Sequence, residues 1–333
     1  KDEIYLCACR NFLRIFPQVL RVIGASPVAH KSFIKDRDIN AEFLNRTDCY
    51  LPKATSLRVS KLGYYSEEQE QKFINFNSLK DYLEIIKYYI NVPNKRFKEI
   101  EIELANPKQI NNGTIQMESE LYNHIRPKGE FTTNERQYNQ LKKGGIKYLE
   151  LRSIDLNPYT AYGISQIEIE FLELLSIYCI LCGDEKIDPV EEIKIKENIR
   201  RASESGQDCN LICSFEKGDA EKNIKVLTQE LLESLESLSN AIGLKENHKN
   251  MFKEFYRRNE VPLSTQIIDD LSNNSIVNFI SSKSKKQNLN LSKEFLKKMS
   301  LEAKTSKKEY LDQQNKDKID FETFLENYRG EIN

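Results

Sequence analysis

The sequence predicts an α+β fold, with an α-helical region closing the chain. Three observations carry this. Segments 77–91 and 229–242 repeat apolar residues at the helical period. Segments 100–104 and 146–153 alternate apolar with polar residues, as strands do. In chain order, helices and strands mix first and a helical tail follows, which divides the chain into 1–215 and 216–333.

The elements can be justified in turn. Residues 5–23 are apolar almost all round, so they should form a buried helix, kinked near Pro17 and ended by Gly24. Ala25-Ser26-Pro27 is then an exit loop, and 37–63 holds short segments and turns. In 77–91, Leu79, Tyr82, Leu83, Ile86 and Tyr89 share one stripe, with Asn77 or Ser78 as the cap. Ile100 to Leu104 reads as a strand, and Asn111-Asn112-Gly113 as a turn before a second strand at 114–118. Residues 129–138 read as a polar loop. The next strand, 146–153, puts Tyr148, Glu150 and Arg152 on one face, with Leu149 and Leu151 on the other. Residues 164–182 form a long apolar helix. From Asp184 the chain turns charged and less periodic. In 229–242, Leu231, Leu235, Leu238 and Ile242 make one stripe, which Gly243 stops. Lysines between 283 and 318 read as a solvated helical surface.

Composition narrows the function classes. With 39% hydrophobic residues, 333 residues can bury a sizeable core. A net charge of −1 gives no electrostatic case for nucleic acid or a membrane surface. The most apolar run, 4–23, carries Arg10, Arg14 and Arg21, so it is not a membrane span. Seven cysteines in no secreted spacing fit a reducing cytoplasm. Lys1 falls inside a helical pattern, so the chain is expected to be a truncated piece.

Several constellations could carry chemistry. No P-loop or dinucleotide glycine signature is present. Cys179-x-x-Cys182 with Cys209-x-x-x-Cys213 has the flavour of a thiolate zinc site, but the first pair lies in an apolar helix, where cysteine acts as a small hydrophobe. His30, His124 and His248 have no triad or metal-pair spacing. Glu150 and Arg152, two residues apart on one strand face, taken alone read more simply as an ion pair on an exposed sheet. Aimed together at one spot, they suit a metal, a phosphate or a charged substrate. Arg58 near Tyr64, and Tyr122 near Arg126-Pro127-Lys128, add arginines suited to carboxylate or phosphate and tyrosines suited to a small amphipathic substrate.

Four blocks stand in one order: Gly24-Ala25-Ser26-Pro27; Tyr50-Leu51-Pro52-x-Ala54-Thr55-Ser56-Leu57-Arg58-x-Ser60-x-Leu62-Gly63-Tyr64; Glu120-Leu121-Tyr122 with Ile125-Arg126-Pro127-Lys128; and Gly144-Gly145-Ile146 through Asn157-Pro158. This closely resembles glutamate–cysteine ligase of the proteobacterial type, from Arg10 to about Cys182. The resemblance implies a glutamine-synthetase-like antiparallel sheet funnel, present in part, with helices behind it. Residues 1–215 would then be the C-terminal part of the catalytic domain. It also implies ATP-dependent joining of the glutamate γ-carboxylate to the cysteine amine through a γ-glutamyl phosphate, with Mg2+. By position, Glu150 matches a magnesium ligand and Arg152 the arginine that meets the transferring phosphoryl group. Arg58 matches the arginine on a substrate carboxylate, and Tyr64 and Tyr122 match tyrosines of the cysteine pocket. Arg126 is added as a phosphate contact from its type and place. The family's other metal ligands precede the matched segment, so the chain alone is expected to be inactive, with an uncovered sheet edge prone to aggregation. The expected partners are glutamate and cysteine, with no nucleic acid and no membrane, and the chain is expected to be a monomer. The alternatives are a related ligase with another amine acceptor and a non-catalytic nucleotide-binding relative.

Overall fold

A computed structural model describes residues 1–35, 40–101, 109–130, 135–213, 220–271, 274–286, 291–316 and 319–330. Helix α1, Asp2–Ile23, is the central element and runs unbroken through Pro17. Leu6, Cys9, Phe12, Phe16, Val19 and Ile23 are all buried on it. Arg10 and Arg21 are buried too, and the reason is visible. Arg10 donates to the carbonyls of Phe76, Asp184 and Glu185 at 2.8, 2.9 and 3.1 Å. Arg21 donates to those of Gly206, Gln207 and Asn259 at 3.0, 2.8 and 2.6 Å. Each cation satisfies loop and helix-end carbonyls that would otherwise be buried unpaired. Gly24 ends the helix where the chain passes close to Thr55: a Cβ there would stand 2.8 Å from the Thr55 Cβ.

A three-stranded antiparallel sheet follows, in the order β1 (Val28–His30), β3 (Asp48–Tyr50), β2 (Glu42–Phe43). Helix α2, Leu79–Asn91, is capped by Ser78, whose hydroxyl accepts the Asp81 N–H at 3.0 Å, and buries Tyr82, Leu83, Ile86 and Tyr89 as its periodicity predicts. The strand expected at 100–104 does not begin as one. Ile100 and Glu101 end a short helix, α3 (Lys95–Glu101), and the remainder lies outside the described residues. The strand expected at 114–118 is also absent. Thr114 and Ile115 donate to the carbonyls of Val92 and Tyr89 at 2.9 and 3.1 Å, and Glu118–Glu120 form a 3-10 turn. The end of α2 takes the backbone bonds that a sheet neighbour would have taken.

Strand β4 (Ile125–Lys128) pairs antiparallel with β5 (Tyr148–Leu151). Between them, α4 (Gln137–Gly144) occupies part of the predicted polar loop. Gly145, at φ 67°, turns the chain into β5, and a Cβ there would meet the Asp2 carboxylate at 2.7 Å. Helix α5 (Gln166–Leu181) opens with a Ser165/Glu168 capping box. Helix α6 (Pro189–Ser205) lies where the sequence looked aperiodic. A hairpin, β6 (Asn210–Ile212) with β7 (Glu221–Asn223), leads into α7 (Ile224–Ala241) and α8 (Lys245–Glu260). The tail is helical: α9 (Leu263–Leu271), α10 (Ile276–Lys286), α11 (Lys293–Lys316) and α12 (Phe321–Gly330).

The α+β class is as expected, with many helices and small antiparallel sheets. α1 packs on α5, α6, α7 and β4. One apolar cluster reaches from Leu6 through Phe171 to Phe255, drawing on both sides of residue 215. Among the described residues, no helix is long and apolar enough to cross a membrane.

Candidate active site

The β4–β5 ribbon positions the site. Leu149 and Leu151 pack on the main core, and so the alternate residues Glu150 and Arg152 face away from it. Register sets Arg126 opposite Glu150 and Lys128 opposite Tyr148. Glu150 therefore sits between two cations: Lys128 Nζ at 3.4 Å and Arg152 Nη1 at 3.5 Å. Its Oε2 is buried and has no hydrogen-bond partner. Lys128 faces Oε2 and Arg152 faces Oε1, so each oxygen has one cation beside it, and Oε2 keeps capacity to accept a hydrogen bond.

Arg58 comes to the same place from a distant segment. Leu57 N–H bonds to the Ser26 carbonyl at 2.7 Å, and the N–H groups of Thr55 and Ser56 bond to the Ser203 carbonyl at 3.0 and 3.1 Å. Ala54, Leu57 and Leu62 form a small buried cluster beneath the segment. So fixed, Arg58 points both Nη groups at the Arg152 carbonyl, each at 3.2 Å, and its Nε at Asp155 Oδ1, at 2.8 Å. Three of its five donors are thus engaged.

The tyrosines also meet. The rings of Tyr64 and Tyr122 pack edge-on at 4.4 Å, and the Arg152 guanidinium stands 5.7 Å from the Tyr64 ring. Both tyrosines line a cavity of about 400 Å³ together with Gln69, His124, Lys196 and Arg200. His124 donates to or accepts from the Ser153 hydroxyl at 2.7 Å through Nδ1, and its ring lies 4.8 Å from that of Phe16. Loss of hydration, helped by the Arg58 charge, pushes its pKa down to about 4.

The structure thus brings Glu150, Arg152, Arg58, Tyr64 and Tyr122 together. Arg126, expected as a phosphate contact, lies beside Tyr64 with its Nε and Nη1 buried and without a hydrogen-bond partner. It is 3% exposed, and its Nη2 donates to Tyr64 Oη at 3.1 Å, to the Ser119 carbonyl at 3.0 Å and to the Leu121 carbonyl. It lies beneath the tyrosine pair rather than on an open surface. None of the four cysteines of the zinc pattern is in a disulfide, and among the described residues no group of three or more His, Cys, Asp or Glu could hold a metal. Sequence reasoning missed the part played by Lys128 and Asp155. Each becomes a neighbour only through strand pairing or loop return, which no local pattern announces.

Comparisons with known proteins bear on the family and the fold. Residues 1–202 match the family described as glutamate–cysteine ligase. The chain is 35% identical over 258 residues to a glutamate–cysteine ligase of Wigglesworthia glossinidia brevipalpis, covering 76% of this chain and 50% of that protein. It is 37% identical over 203 residues to one of Shewanella halifaxensis, covering 60% and 39%. The chain spans about half the length of the curated relatives it matches. A crystal structure of a glutamate–cysteine ligase from Francisella tularensis in complex with AMP superimposes with a TM-score of 0.86 at 23% identity, covering 98% of this chain and 67% of that one. A bifunctional glutathione synthetase from Pasteurella multocida gives 0.59 at 21%, covering 86% and 32%. At such identities these two likenesses bear on the fold alone. With well over half of its residues matched, the chain belongs to the glutamate–cysteine ligase family.

Proposed function

We propose that this chain carries the phosphoryl-transfer and carboxylate-binding part of an ATP-dependent carbon–nitrogen ligase. The reaction joins the glutamate γ-carboxylate to the cysteine amine, the first step of glutathione synthesis. One observation carries the reading: Arg58, from a distant segment, meets the β5 stretch that presents Glu150 and Arg152, its Nη groups each 3.2 Å from the Arg152 carbonyl, while Glu150 Oε2 is buried with an ion pair to Lys128 and no hydrogen bond. The chemistry asks for such a group. An amine cannot displace oxide from a carboxylate, so ATP first makes the acyl phosphate. Bringing a polyphosphate to an anion requires fixed positive charge. In this reading Arg58 holds a substrate carboxylate and Arg152 meets the transferring phosphoryl group. Tyr64 and Tyr122 pack against the cysteine. Arg126, through its bond to Tyr64, holds that ring in place. The AMP complex of the Francisella tularensis protein favours nucleotide use on this fold. Cysteines outside any disulfide fit work in a reducing cytoplasm.

Magnesium fits these residues only in part. Glu150 offers one carboxylate, whereas a hard divalent cation takes about six oxygens. No other described carboxylate joins it to make a cage. We therefore expect the 333 residues alone to bind substrates without turning them over. The test pairs calorimetric binding of AMP, glutamate and cysteine with an assay of phosphate release dependent on ATP, glutamate and cysteine. Binding without turnover is expected. Normal turnover would overturn the incompleteness, and failure to bind any of the three would overturn the ligase reading.

A further inference from the structure

We infer that Asp155 is a positioning residue: its carboxylate fixes the Arg58 guanidinium and ties the end of β5 to the loop leaving α1. This rests on the reading of Arg58 as a carboxylate holder and deepens it. Asp155 is 5% exposed, and both of its oxygens are engaged. Oδ2 accepts from the Ala25 N–H at 2.9 Å and from the Ser26 hydroxyl at 2.8 Å. Oδ1 accepts from Arg58 Nε at 2.8 Å. The carboxylate is thus held on one side and holds on the other.

The arrangement gives Arg58 a fixed direction. Its Nε is engaged by Asp155, and one donor from each Nη by the Arg152 carbonyl. Its two remaining N–H groups belong to a side chain that is 39% exposed. They are the donors free to meet an incoming anion. Without Asp155, Arg58 would keep its charge but lose its pre-set orientation, and binding would then include the entropy of ordering a long side chain. The same carboxylate neutralises part of the Arg58 charge. Arg152 is three residues before Asp155, so one short stretch of chain sets the phosphoryl-facing arginine and orients the carboxylate-facing one.

The experiment measures L-glutamate, L-cysteine and AMP binding to the full 333-residue chain by calorimetry. The variants are Asp155→Asn, Asp155→Glu and Ser26→Ala. Asp155→Asn should weaken binding of the amino acid that Arg58 holds about tenfold or more, with AMP affinity unchanged within about twofold. Asp155→Glu should recover part of the loss, because the charge returns. A merely structural role would move all three ligands together. Should Asp155→Asn fail to fold, Ser26→Ala removes one donor to Oδ2 and the acceptor of the Arg58 backbone N–H, leaves the Arg58 Nε bond to Oδ1, and should lower amino-acid affinity about threefold. A wild-type chain that binds neither amino acid overturns the carboxylate-holding reading itself. A wild-type chain that binds, beside variants that bind equally well, overturns this inference alone.

Discussion

His124 shows how a single side chain near the site couples stability to pH. Its ring packs between Phe16 and the Ser153 hydroxyl, close to the Arg58 cation, and its pKa is pushed down to about 4, first by lost hydration and then by Arg58. An unfolded histidine titrates near about 6.5. As pH falls through that value, the unfolded chain takes up a proton that the folded chain refuses. His124 therefore contributes stability that is whole above about 6.5 and is lost as pH falls towards 4. Glu197 and Glu254 act in a separate, lower window. Hydrogen bonds from Arg200 and Arg257, foremost among their contacts, hold them at about 2, so their contribution is lost only from about 4.5 down to 2. Between pH 7 and 5 the histidine is thus the distinguishable group. His124→Asn should lose less thermal stability over that interval than the parent chain does. Parallel slopes for the two proteins would show that the ring is not held neutral.

At the scale of elements, Glu168 is a junction. It closes the cap of α5, accepting from the Ser165 N–H at 2.7 Å, and pairs with Arg258 of α8 at 2.7 Å and Asn157 of the loop after β5 at 2.8 Å. Its carboxyl is held below the ordinary range: burial is the largest single influence and raises it, but the Arg258 hydrogen bond and charge, with the Ser165 N–H and Asn157 bonds, together outweigh burial. Two substitutions separate the roles. Ser165→Ala removes the cap and one hydroxyl donor to the Glu168 carboxylate while leaving the Arg258 ion pair, and should cost about 1 kcal/mol in urea unfolding. Arg258→Met leaves a buried carboxylate uncompensated and should cost about 3–5 kcal/mol. Equal costs would mean that the ion pair contributes no more than the cap. Elements of this kind differed in how plainly the sequence showed them. α2 was visible because an apolar stripe and a serine cap coincide, and α5 because its run of apolar residues is long. β5 was visible because its alternation separates Glu150 and Arg152 from Leu149 and Leu151. α6 was missed because its exposed turns dilute the stripe, although Asp188 followed by Pro189 was a start signal: Asp188 Oδ1 accepts from Val190 and Glu191 N–H at 2.8 Å each. The supposed strand at 114–118 had the right alternation, but a five-residue pattern cannot reveal that α2 will claim its backbone. In the site, Glu150 and Arg152 could be read from one strand. Asp155 could not, since its partners at Ala25, Ser26 and Arg58 arrive only on folding.

For the whole molecule, the question is whether the helices after residue 215 unfold with the site or apart from it. The packing argues for one unit. Phe255 of α8 stacks on Phe171 of α5 with ring centroids 4.0 Å apart, and both belong to the cluster that includes Leu6, Phe12 and Phe16 of α1. Arg21 of α1 reaches Asn259, and Asn259 in turn donates to the Lys225 carbonyl at the start of α7 at 3.1 Å. Loss of α8 would therefore strip a buried arginine of its two Asn259 bonds as well as leave a cavity. α11 is the opposite case, since none of its described residues is buried. Its stability is local, and helices held only by themselves are marginal. The prediction follows for amide exchange. Phe255→Ala should destabilise the chain by about 3–5 kcal/mol, and protection should fall by the same factor in α1, α5 and α8, because they open together. Amides of α11 should exchange fast in the parent and in the variant alike. If protection falls in α8 while α1 keeps its own, the chain is two units parted near residue 215, and the site stands on the first of them alone.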